Sequence, residues 1–177
     1  GVKKIKEIIK KDPRKNKFRE LAKLLGQENE EIINSGLDKY SNADFDRLEI
    51  FPDAKEVLKK LKDSNYKMVL LTQGSPNKQN DKIDFLKIRE YFDFIIITEL
   101  GDKKNGLIKA IRELKIKPDE ILNVGDRIDN EIKFGNDLGM RTVRILKGKY
   151  KYIKPKERNE IPDLEINNLI EILHILK

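Results

Sequence analysis

The sequence predicts an α/β protein with a Rossmann-like parallel sheet, helices on both faces in three layers, and a small helical cap. From residue 51 onward, short apolar blocks of strand length alternate with stretches whose apolar residues recur every three or four positions. The first 50 residues carry only the helical pattern. Strands that alternate with helices of this length require right-handed crossovers, which produce a parallel sheet.

Residues 1–50 are predicted to form the helical cap. Asp12-Pro13 separates the first two of its three apolar stripes, and Gly26 is expected to cap the second helix. The segment 41–50 is polar and turn-like, so the cap is expected to end there. The stripes are Val2/Ile5/Ile8/Ile9, Phe18/Leu21/Ala22/Leu25 and Ile32/Ile33/Leu37.

Residues 51–177 are predicted to form the α/β core. Pro52 and Asp53 open its first helix, Pro118 ends a later one, and a final helix runs to Leu176. The segment 72–76 is predicted to be a loop. Apolar blocks predict the buried strands, which are expected at 67–71, 94–97, 121–124 and 142–146, with a short strand at 164–166.

Composition excludes several kinds of site. The chain has no cysteine and a single histidine, His174, so thiolate metal sites are excluded and a Ser-His-Asp triad is disfavoured. No apolar stretch approaches the roughly 18 residues that a membrane span requires. The Lys-rich first residues lack the uninterrupted apolar core of a signal peptide. These features predict a soluble, cytoplasmic protein with no membrane partner.

The net charge of +7 raises the alternative of a basic RNA-binding module. Its densest basic run is 147–158, in which Tyr150 and Tyr152 are interleaved with lysines. Lysine and glutamate are abundant together along every predicted helix, however, which is typical of solvated helical faces. We therefore interpret the run as a solvated loop and expect no nucleic-acid partner.

Two predicted strand ends carry residues suited to binding phosphate. Leu71-Thr72-Gln73-Gly74-Ser75 places hydroxyl groups and a glycine where backbone N–H groups can face an anion, although the same residues also make an ordinary turn and helix cap. Asp102-Lys103-Lys104 opens a helix and offers a cation that could neutralise a phosphate or a carboxylate.

A third strand end carries carboxylates. Gly125 lets the chain turn sharply, so that Asp126 projects over the edge of the sheet, and Asp129, Asn130 and Glu131 follow in the opening turn of a helix. These acidic residues could complement the helix dipole. One or two carboxylates at a strand end are equally suited to binding Mg²⁺.

This order of motifs resembles the haloacid dehalogenase superfamily over most of the chain. Phe51-Pro52-Asp53-Ala54 is similar to the start of the family core after a helical cap. The second motif of the family is similar to Leu71-Thr72-Gln73-Gly74, and its third motif is similar to Lys103 or Lys104. The fourth motif is similar to Lys117–Asp126 with the following Gly139-Met140.

The resemblance implies a Mg²⁺-dependent phosphatase that acts on a small phosphorylated metabolite through an aspartyl-phosphate. It implies that Thr72 and Lys103 are catalytic, that Thr72, Gln73, Gly74 and Lys103 bind phosphate, and that Asp126 binds the metal. Glu131 would assist Asp126 at a position where the family usually has aspartate.

The family's first motif, an apolar strand that ends in Asp-x-Asp, is absent from the sequence. The only Asp-x-Asp, Asp44-Phe45-Asp46, follows a polar segment and is interpreted as a loop or helix cap. The family places the missing strand between the strands that end at Leu71 and Val124, so we expect a gap with unpaired backbone groups there.

Three explanations for the gap remain open. A preceding segment has been lost, a second chain supplies the missing strand, or the strand near 164–166 has moved inward. We favour a lost segment, because residue 1 begins directly in a helix stripe. Two further functions compete with the phosphatase: a catalytically inactive binding or assembly module, and a haloacid dehalogenase, which needs no metal and is disfavoured by the acidic pair.

Overall fold

The computed structural model describes Glu7, residues 17–41 and residues 48–176. The chain forms two compact units, Gly1–Arg47 and Leu48–Lys177. That the first unit is a cap stays a prediction. The first predicted helix stripe and Asp44-Phe45-Asp46 lie outside the described residues.

Two helices are described in the first unit, α1 (Lys17–Leu24) and α2 (Glu30–Ser41). Ala22 and Ile33 are their buried apolar residues, as expected from the second and third stripes. Gly26 has the left-handed φ of +65° that suits a residue just after a helix.

The second unit alternates strands and helices, so the predicted α/β class is confirmed. A π-helical turn (Ile128–Ile132) continues directly into α6 (Lys133–Asp137), and α7 (Ile172–Ile175) follows a 3₁₀ turn at Leu169–Glu171. The elements are α3 (Ala54–Asp63), β1 (Val69–Gln73), α4 (Pro76–Phe85), β2 (Phe94–Thr98), α5 (Lys103–Leu114), β3 (Leu122–Gly125), a π-helical turn (Ile128–Ile132), α6 (Lys133–Asp137), β4 (Arg141–Ile145), β5 (Leu164–Ile166) and α7 (Ile172–Ile175).

All strand pairs of the second unit are parallel, but the strands form two sheets rather than one. β1 pairs with β2, and β4 lies between β3 and β5. Within the described residues, no strand lies between β1 and β3, where the sequence lacks the motif strand. The alternative that residues 164–166 have moved into the gap is wrong, because β5 pairs with β4.

Strand β1 begins and ends two residues later than the sequence pattern predicts. Thr72 and Gln73, which were expected in a loop, pair with Ile97 and Thr98 of β2. The ladder extends to Gly74, whose N–H donates to the carbonyl of Thr98 at 2.9 Å. Thr72 and Gln73 therefore form the carboxyl end of β1, and Gly74 follows directly after it.

Buried aliphatic side chains hold the helices against the sheets. Val57 of α3 and Ile128 and Ile132 of the π-helical turn are at most 1% exposed, and each such side chain contributes about 1.5–3 kcal/mol on burial. Asp53 accepts a hydrogen bond from the N–H of Ile170 at 3.1 Å. The start of α3 is thereby tied to the C-terminal turn.

Candidate active site

Lys103 is the central side chain of the site. It is the first residue of α5, it is only 6% exposed, and its Nζ donates a hydrogen bond to the carbonyl of Leu71 at 3.0 Å. The same Nζ lies 3.0 Å from Oε1 of Glu131. Lys104 is exposed. Of the two lysines that the sequence left open, Lys103 is therefore the one that enters the site.

A glycine on the same face of α5 explains how Lys103 reaches the strand ends. Gly106 lies one turn after Lys103, and a Cβ there would be 2.6 Å from Cδ1 of Leu71 and 2.8 Å from Cγ2 of Thr98. Only a residue without a side chain allows this approach of α5 to β1 and β2. Gly106 is not among the residues predicted from the sequence, although an isolated glycine inside a helical pattern is a signal of close packing.

The second side of the site is the turn that follows β3. A Cβ at Gly125 would lie 2.5 Å from Cβ of Glu131, so glycine lets the π-helical turn fold back over the strand end. Asn123 fixes this turn by donating its Nδ2 to the backbone carbonyl of Glu131 at 2.7 Å. Glu131 is thus held beside the Gly125-Asp126 corner.

Two carboxylates share this corner with one buried lysine. Burial raises the pKa of Asp126, and the negative charge of Glu131 raises it further, against weaker opposing effects from a hydrogen bond with its own backbone N–H and from the charges of Arg127 and Lys103. The guanidinium of Arg127 is already engaged, because it pairs with Asp129 at 3.0 Å and lies over the ring of Tyr150 at 5.0 Å. The corner therefore carries an excess of negative charge.

These oxygens fit a divalent cation. Oε2 of Glu131 and Oδ1 of Asn130 are buried acceptors without a hydrogen-bond partner in the described part of the chain. The described residues contain no cluster of three or more histidine, cysteine, aspartate or glutamate side chains that could hold a metal. Mg²⁺ does not require such a cluster, since it typically takes one or two carboxylates together with water and phosphate oxygens.

The predicted phosphate-binding residues of β1 have different environments. The hydroxyl of Thr72 donates to Oε1 of Gln79 at 3.1 Å. Gln73 bridges the two sheets, because it donates to the carbonyl of Glu99 at 3.1 Å and accepts from Nδ2 of Asn130 at 3.2 Å.

The N–H of Gly74 is predicted to face a phosphate, but in the structure it is used within the sheet. That N–H is bonded to Thr98, because the β1–β2 ladder extends further than the sequence pattern indicates. The φ of Gly74 is +133°, which favours glycine, so Gly74 contributes a backbone conformation rather than a donor.

The structure thus brings Lys103 and Glu131 into direct contact, with Asp126 in their electrostatic field. Three residues that the sequence analysis did not assign to the site, Gln79, Asn130 and Gly106, complete this arrangement. Gly106 left a signal in the sequence as an isolated glycine of a helical pattern. The amide contact of Asn130 with Gln73 spans 57 positions of the chain. The contact of Gln79 with Thr72 spans only 7 positions, but it depends on how α4 packs against the end of β1.

Comparison with known protein families identifies the family of this chain. Residues 3–145 match the family described as haloacid dehalogenase-like hydrolase. The chain belongs to this family. The resemblance inferred from the motifs is confirmed.

Relatives within the haloacid dehalogenase-like hydrolases include archaeal phosphatases. The chain is 33% identical to the glyceraldehyde 3-phosphate phosphatase of Methanopyrus kandleri, over 98% of this chain and 76% of the relative. It is 37% identical to the enzyme of the same name from Methanocaldococcus jannaschii, over 90% of this chain and 71% of the relative. The predicted enzyme class, a phosphoric monoester hydrolase, is confirmed by these relatives.

Solved structures confirm the family fold. The crystal structure of a predicted phosphoglycolate phosphatase from Haemophilus somnus 129PT superposes with a TM-score of 0.77, covering 91% of this chain and 74% of that one. Its sequence identity is 20%, so the likeness concerns the Rossmann-like fold alone.

The basic run 147–158 packs partly against its own chain. The buried guanidinium of Arg144 donates to the carbonyls of Tyr150 and Ile153, each at 2.9 Å. The Tyr150 ring lies beneath both Arg127 and Lys149. The run is a loop in which most side chains are exposed, and the absence of a nucleic-acid partner stays a prediction. Among the described helices, none is long and apolar enough to cross a membrane.

Proposed function

We propose that this chain forms most of a Mg²⁺-dependent phosphatase that cleaves small phosphorylated metabolites through an aspartyl-phosphate. The observation that supports this most directly is the buried Lys103, shared between the carbonyl of Leu71 and the carboxylate of Glu131. A buried ammonium at the carboxyl ends of parallel strands suits both a phosphoryl oxygen and a nucleophilic carboxylate. The names of the two archaeal relatives support a three-carbon sugar phosphate as the substrate.

The proposed roles follow from the positions of the side chains. Thr72 donates its hydroxyl to a phosphoryl oxygen, with Gln73 and Gly74 shaping the end of β1. Lys103 neutralises the phosphoryl group and the nucleophile. Asp126 holds Mg²⁺ with the assistance of Glu131. The bound cation supplies charge neutralisation for the phosphoryl oxygens.

The nucleophile is proposed to come from a segment outside these 177 residues. The edge of β1 that faces away from β2 has no strand partner among the described residues, and Lys103 is bonded to a carbonyl of β1. A strand added at this edge would end close to the ammonium of Lys103. An aspartate at its end would pair with Lys103.

The chemistry then takes two steps. A carboxylate oxygen of that aspartate attacks phosphorus, the bond from phosphorus to the substrate oxygen breaks, and the leaving oxygen takes a proton from solvent water to give the alcohol. Water then attacks the phosphorus of the aspartyl-phosphate, which releases inorganic phosphate, regenerates the carboxylate and returns a proton to the solvent. Each carboxylate and hydroxyl is thereby returned to its starting state.

A catalytically inactive binding module is the second candidate. It would apply if no other segment supplied the first motif. A haloacid dehalogenase is the weaker alternative, because the relatives of 33% and 37% identity are named as phosphatases. The cytoplasmic location remains a prediction.

Complementation by a peptide tests the proposal. The chain is assayed with glyceraldehyde 3-phosphate and with a generic phosphomonoester, with Mg²⁺ or EDTA, alone and with a synthetic peptide of five apolar β-branched residues followed by Asp-x-Asp-Thr. The peptide is also fused to the chain through a flexible linker. We expect turnover only with both peptide and Mg²⁺. The matched control peptide carries asparagine in place of the first aspartate.

The outcomes separate the candidates. Mg²⁺-dependent turnover by the chain alone would contradict the external nucleophile. A peptide that binds but yields no turnover would support the inactive module, and halide release from a 2-haloacid in EDTA would support the dehalogenase. Asp126→Asn in the complemented protein should abolish turnover, and retained turnover would contradict the metal assignment.

A further inference from the structure

Gln79 of α4 is in direct contact with the hydroxyl that is proposed to bind phosphate. Its Oε1 accepts the proton of Thr72 at 3.1 Å. Its Nε2 has no acceptor within the described residues. The side chain reaches Thr72 across Gly74, where a Cβ would lie 2.9 Å from Nε2 of Gln79. The glycine of this turn thus leaves room for the amide.

The direction of this hydrogen bond conflicts with phosphate binding. A hydroxyl has one proton, and in the ligand-free chain Thr72 donates it to Gln79. A phosphoryl oxygen accepts hydrogen bonds and donates none, so Thr72 has to redirect its proton toward the phosphate. The Oε1 of Gln79 would then face a hydroxyl oxygen with no proton between them.

A flip of the side-chain amide of Gln79, which exchanges the places of Oε1 and Nε2, resolves the conflict. After that turn Nε2 donates to Oγ1 of Thr72, and the hydroxyl proton of Thr72 is free to point toward the phosphoryl group. The amide of glutamine has one accepting end and one donating end of nearly the same size. Neither glutamate nor an apolar side chain offers both.

We infer that Gln79 is a positioning residue that sets the donor direction of Thr72: it accepts the Thr72 proton in the free chain and, after its amide turns, orients that proton toward bound phosphate. This inference rests on the proposed function, in which Thr72 binds the phosphoryl group. It adds a residue from α4 to a site otherwise built from the end of β1, the start of α5 and the turn after β3.

Two near-isosteric variants of Gln79 test the inference. Gln79→Glu can only accept the Thr72 proton and holds it away from the ligand, whereas Gln79→Met makes no hydrogen bond and leaves the hydroxyl free. Binding of inorganic phosphate to the 177-residue chain is measured by calorimetric titration with Mg²⁺ present, in the native and in the Thr72→Val background. Asn77→Asp, an exposed position on the same helix, controls for added negative charge.

We expect the dissociation constant for phosphate to be at least roughly tenfold higher in Gln79→Glu than in Gln79→Met. A tenfold difference is the scale of one hydrogen bond to a charged group. In the Thr72→Val background the difference between the two variants should fall to the size of the Asn77→Asp effect. A merely structural role would give no such dependence on the hydroxyl of Thr72.

Two results would overturn the inference. If the native chain binds phosphate and the two Gln79 variants bind it equally, or if their difference persists without the Thr72 hydroxyl, Gln79 does not direct Thr72 and the proposed function is unaffected. If the native chain binds no phosphate with Mg²⁺ present, the phosphate site itself is contradicted, and the inference fails with it.

Discussion

Lys103 and Lys104 are adjacent in the sequence, but only Lys103 has a buried ion pair to lose. Lys103→Met removes the cation and leaves the carboxylate of Glu131, which is 15% exposed, without its partner. Breaking one side of such a buried pair costs about 3–5 kcal/mol. We therefore expect Lys103→Met to lower the free energy of unfolding by about this amount and to abolish phosphate binding.

Lys104→Met is the matched control for this prediction. Its side chain is exposed, and substitutions at such positions change stability by about 0.5 kcal/mol or less. Urea unfolding of both variants, followed by phosphate titration, measures the two effects. Equal losses in the two variants would show that Lys103 has no special place in the site.

Asp126 is expected to destabilise the metal-free chain at neutral pH. Burial and the charge of Glu131 raise its pKa above the ordinary 3.8, so the folded chain binds this proton more tightly than the unfolded chain does. The stability gained from that proton is complete below the ordinary pKa and is lost as the pH rises through the raised pKa. Asp126→Asn should therefore raise the melting temperature in EDTA at pH 7.

The increase in melting temperature caused by Asp126→Asn should become smaller as the pH falls toward 3.8, because the native carboxyl is then protonated and carries no charge either. Adding Mg²⁺ should stabilise the native chain and leave the variant unchanged, since only a ligand that binds the folded state shifts its stability. Thermal unfolding over this pH range provides the measurement. A variant that melts below the native chain in EDTA at pH 7 would contradict the charge excess described for this corner.

At the scale of residues, the sequence predicts side chains whose position follows from a local turn. Asp126 is an example, because it directly follows the end of β3 and lies close enough to Glu131 for the two charges to interact. The contact between Thr72 and Gln79 was not predictable, since it depends on how closely α4 lies against the end of β1. The bond from Asn130 to Gln73 spans 57 positions of the chain, and no local pattern encodes it.

At the scale of elements, the approach of α5 to β1 and β2 depends on Gly106. Gly106→Ala would place a Cβ within 2.8 Å of side-chain atoms of both Leu71 and Thr98. Overpacking of this kind typically costs about 1–3 kcal/mol, which outweighs the roughly 1 kcal/mol that alanine gains over glycine in a helix. We expect Gly106→Ala to lower stability and to weaken phosphate binding, because α5 carries Lys103.

The exposed Lys109 of the same helix offers a control. Lys109→Ala also increases helix propensity slightly but touches neither strand, so it should leave phosphate binding unchanged. Unfolding and phosphate titration of the two variants compare the effects. If Gly106→Ala stabilised the chain and bound phosphate normally, the helix would have to lie further from the sheet than the structure shows.

The bounds of strand β1 show what a hydrophobic sequence pattern does not predict. The apolar block predicts strand β1 at 67–71, whereas the observed ladder runs over Val69–Gln73. Asp93 explains the late start, because its carboxylate accepts a hydrogen bond from the N–H of Met68 at 2.8 Å. The polar Thr72 and Gln73 extend the strand because β2 offers them ladder partners, a tertiary effect that hydrophobicity does not record.

At the scale of the whole molecule, the alternation of strands and helices predicts the fold class, but not a sheet divided in two. Helix α4 connects the paired strands β1 and β2, and the π-helical turn with α6 connects β3 and β4, so both sheets form without the missing strand. Helix α5 connects the two sheets. Polar bridges then join the halves at their carboxyl ends, through Lys103 to Glu131 and through Gln73 to Asn130.

The division of the sheet leads to a prediction for the backbone amides of β1. Successive residues of a strand direct their backbone groups to alternate edges. The bond from Gly74 to Thr98 places Leu70 and Thr72 on the edge that faces β2, whereas the bond from Lys103 places Leu71 on the other edge. We therefore expect the amide of Leu71 to exchange hydrogen at least about tenfold faster than those of Leu70 and Thr72.

Strand β4 provides the internal reference for this measurement, because it is paired on both edges and its successive amides should be equally protected. Hydrogen exchange followed by NMR resolves the individual residues. Adding the strand peptide that ends in Asp-x-Asp-Thr should slow Leu71 and leave β4 unchanged, because a strand that fills the gap pairs with the open edge alone. If Leu71 is as protected as its neighbours before any peptide is added, that edge is already covered, and the proposal that a segment outside these residues supplies the nucleophile is wrong.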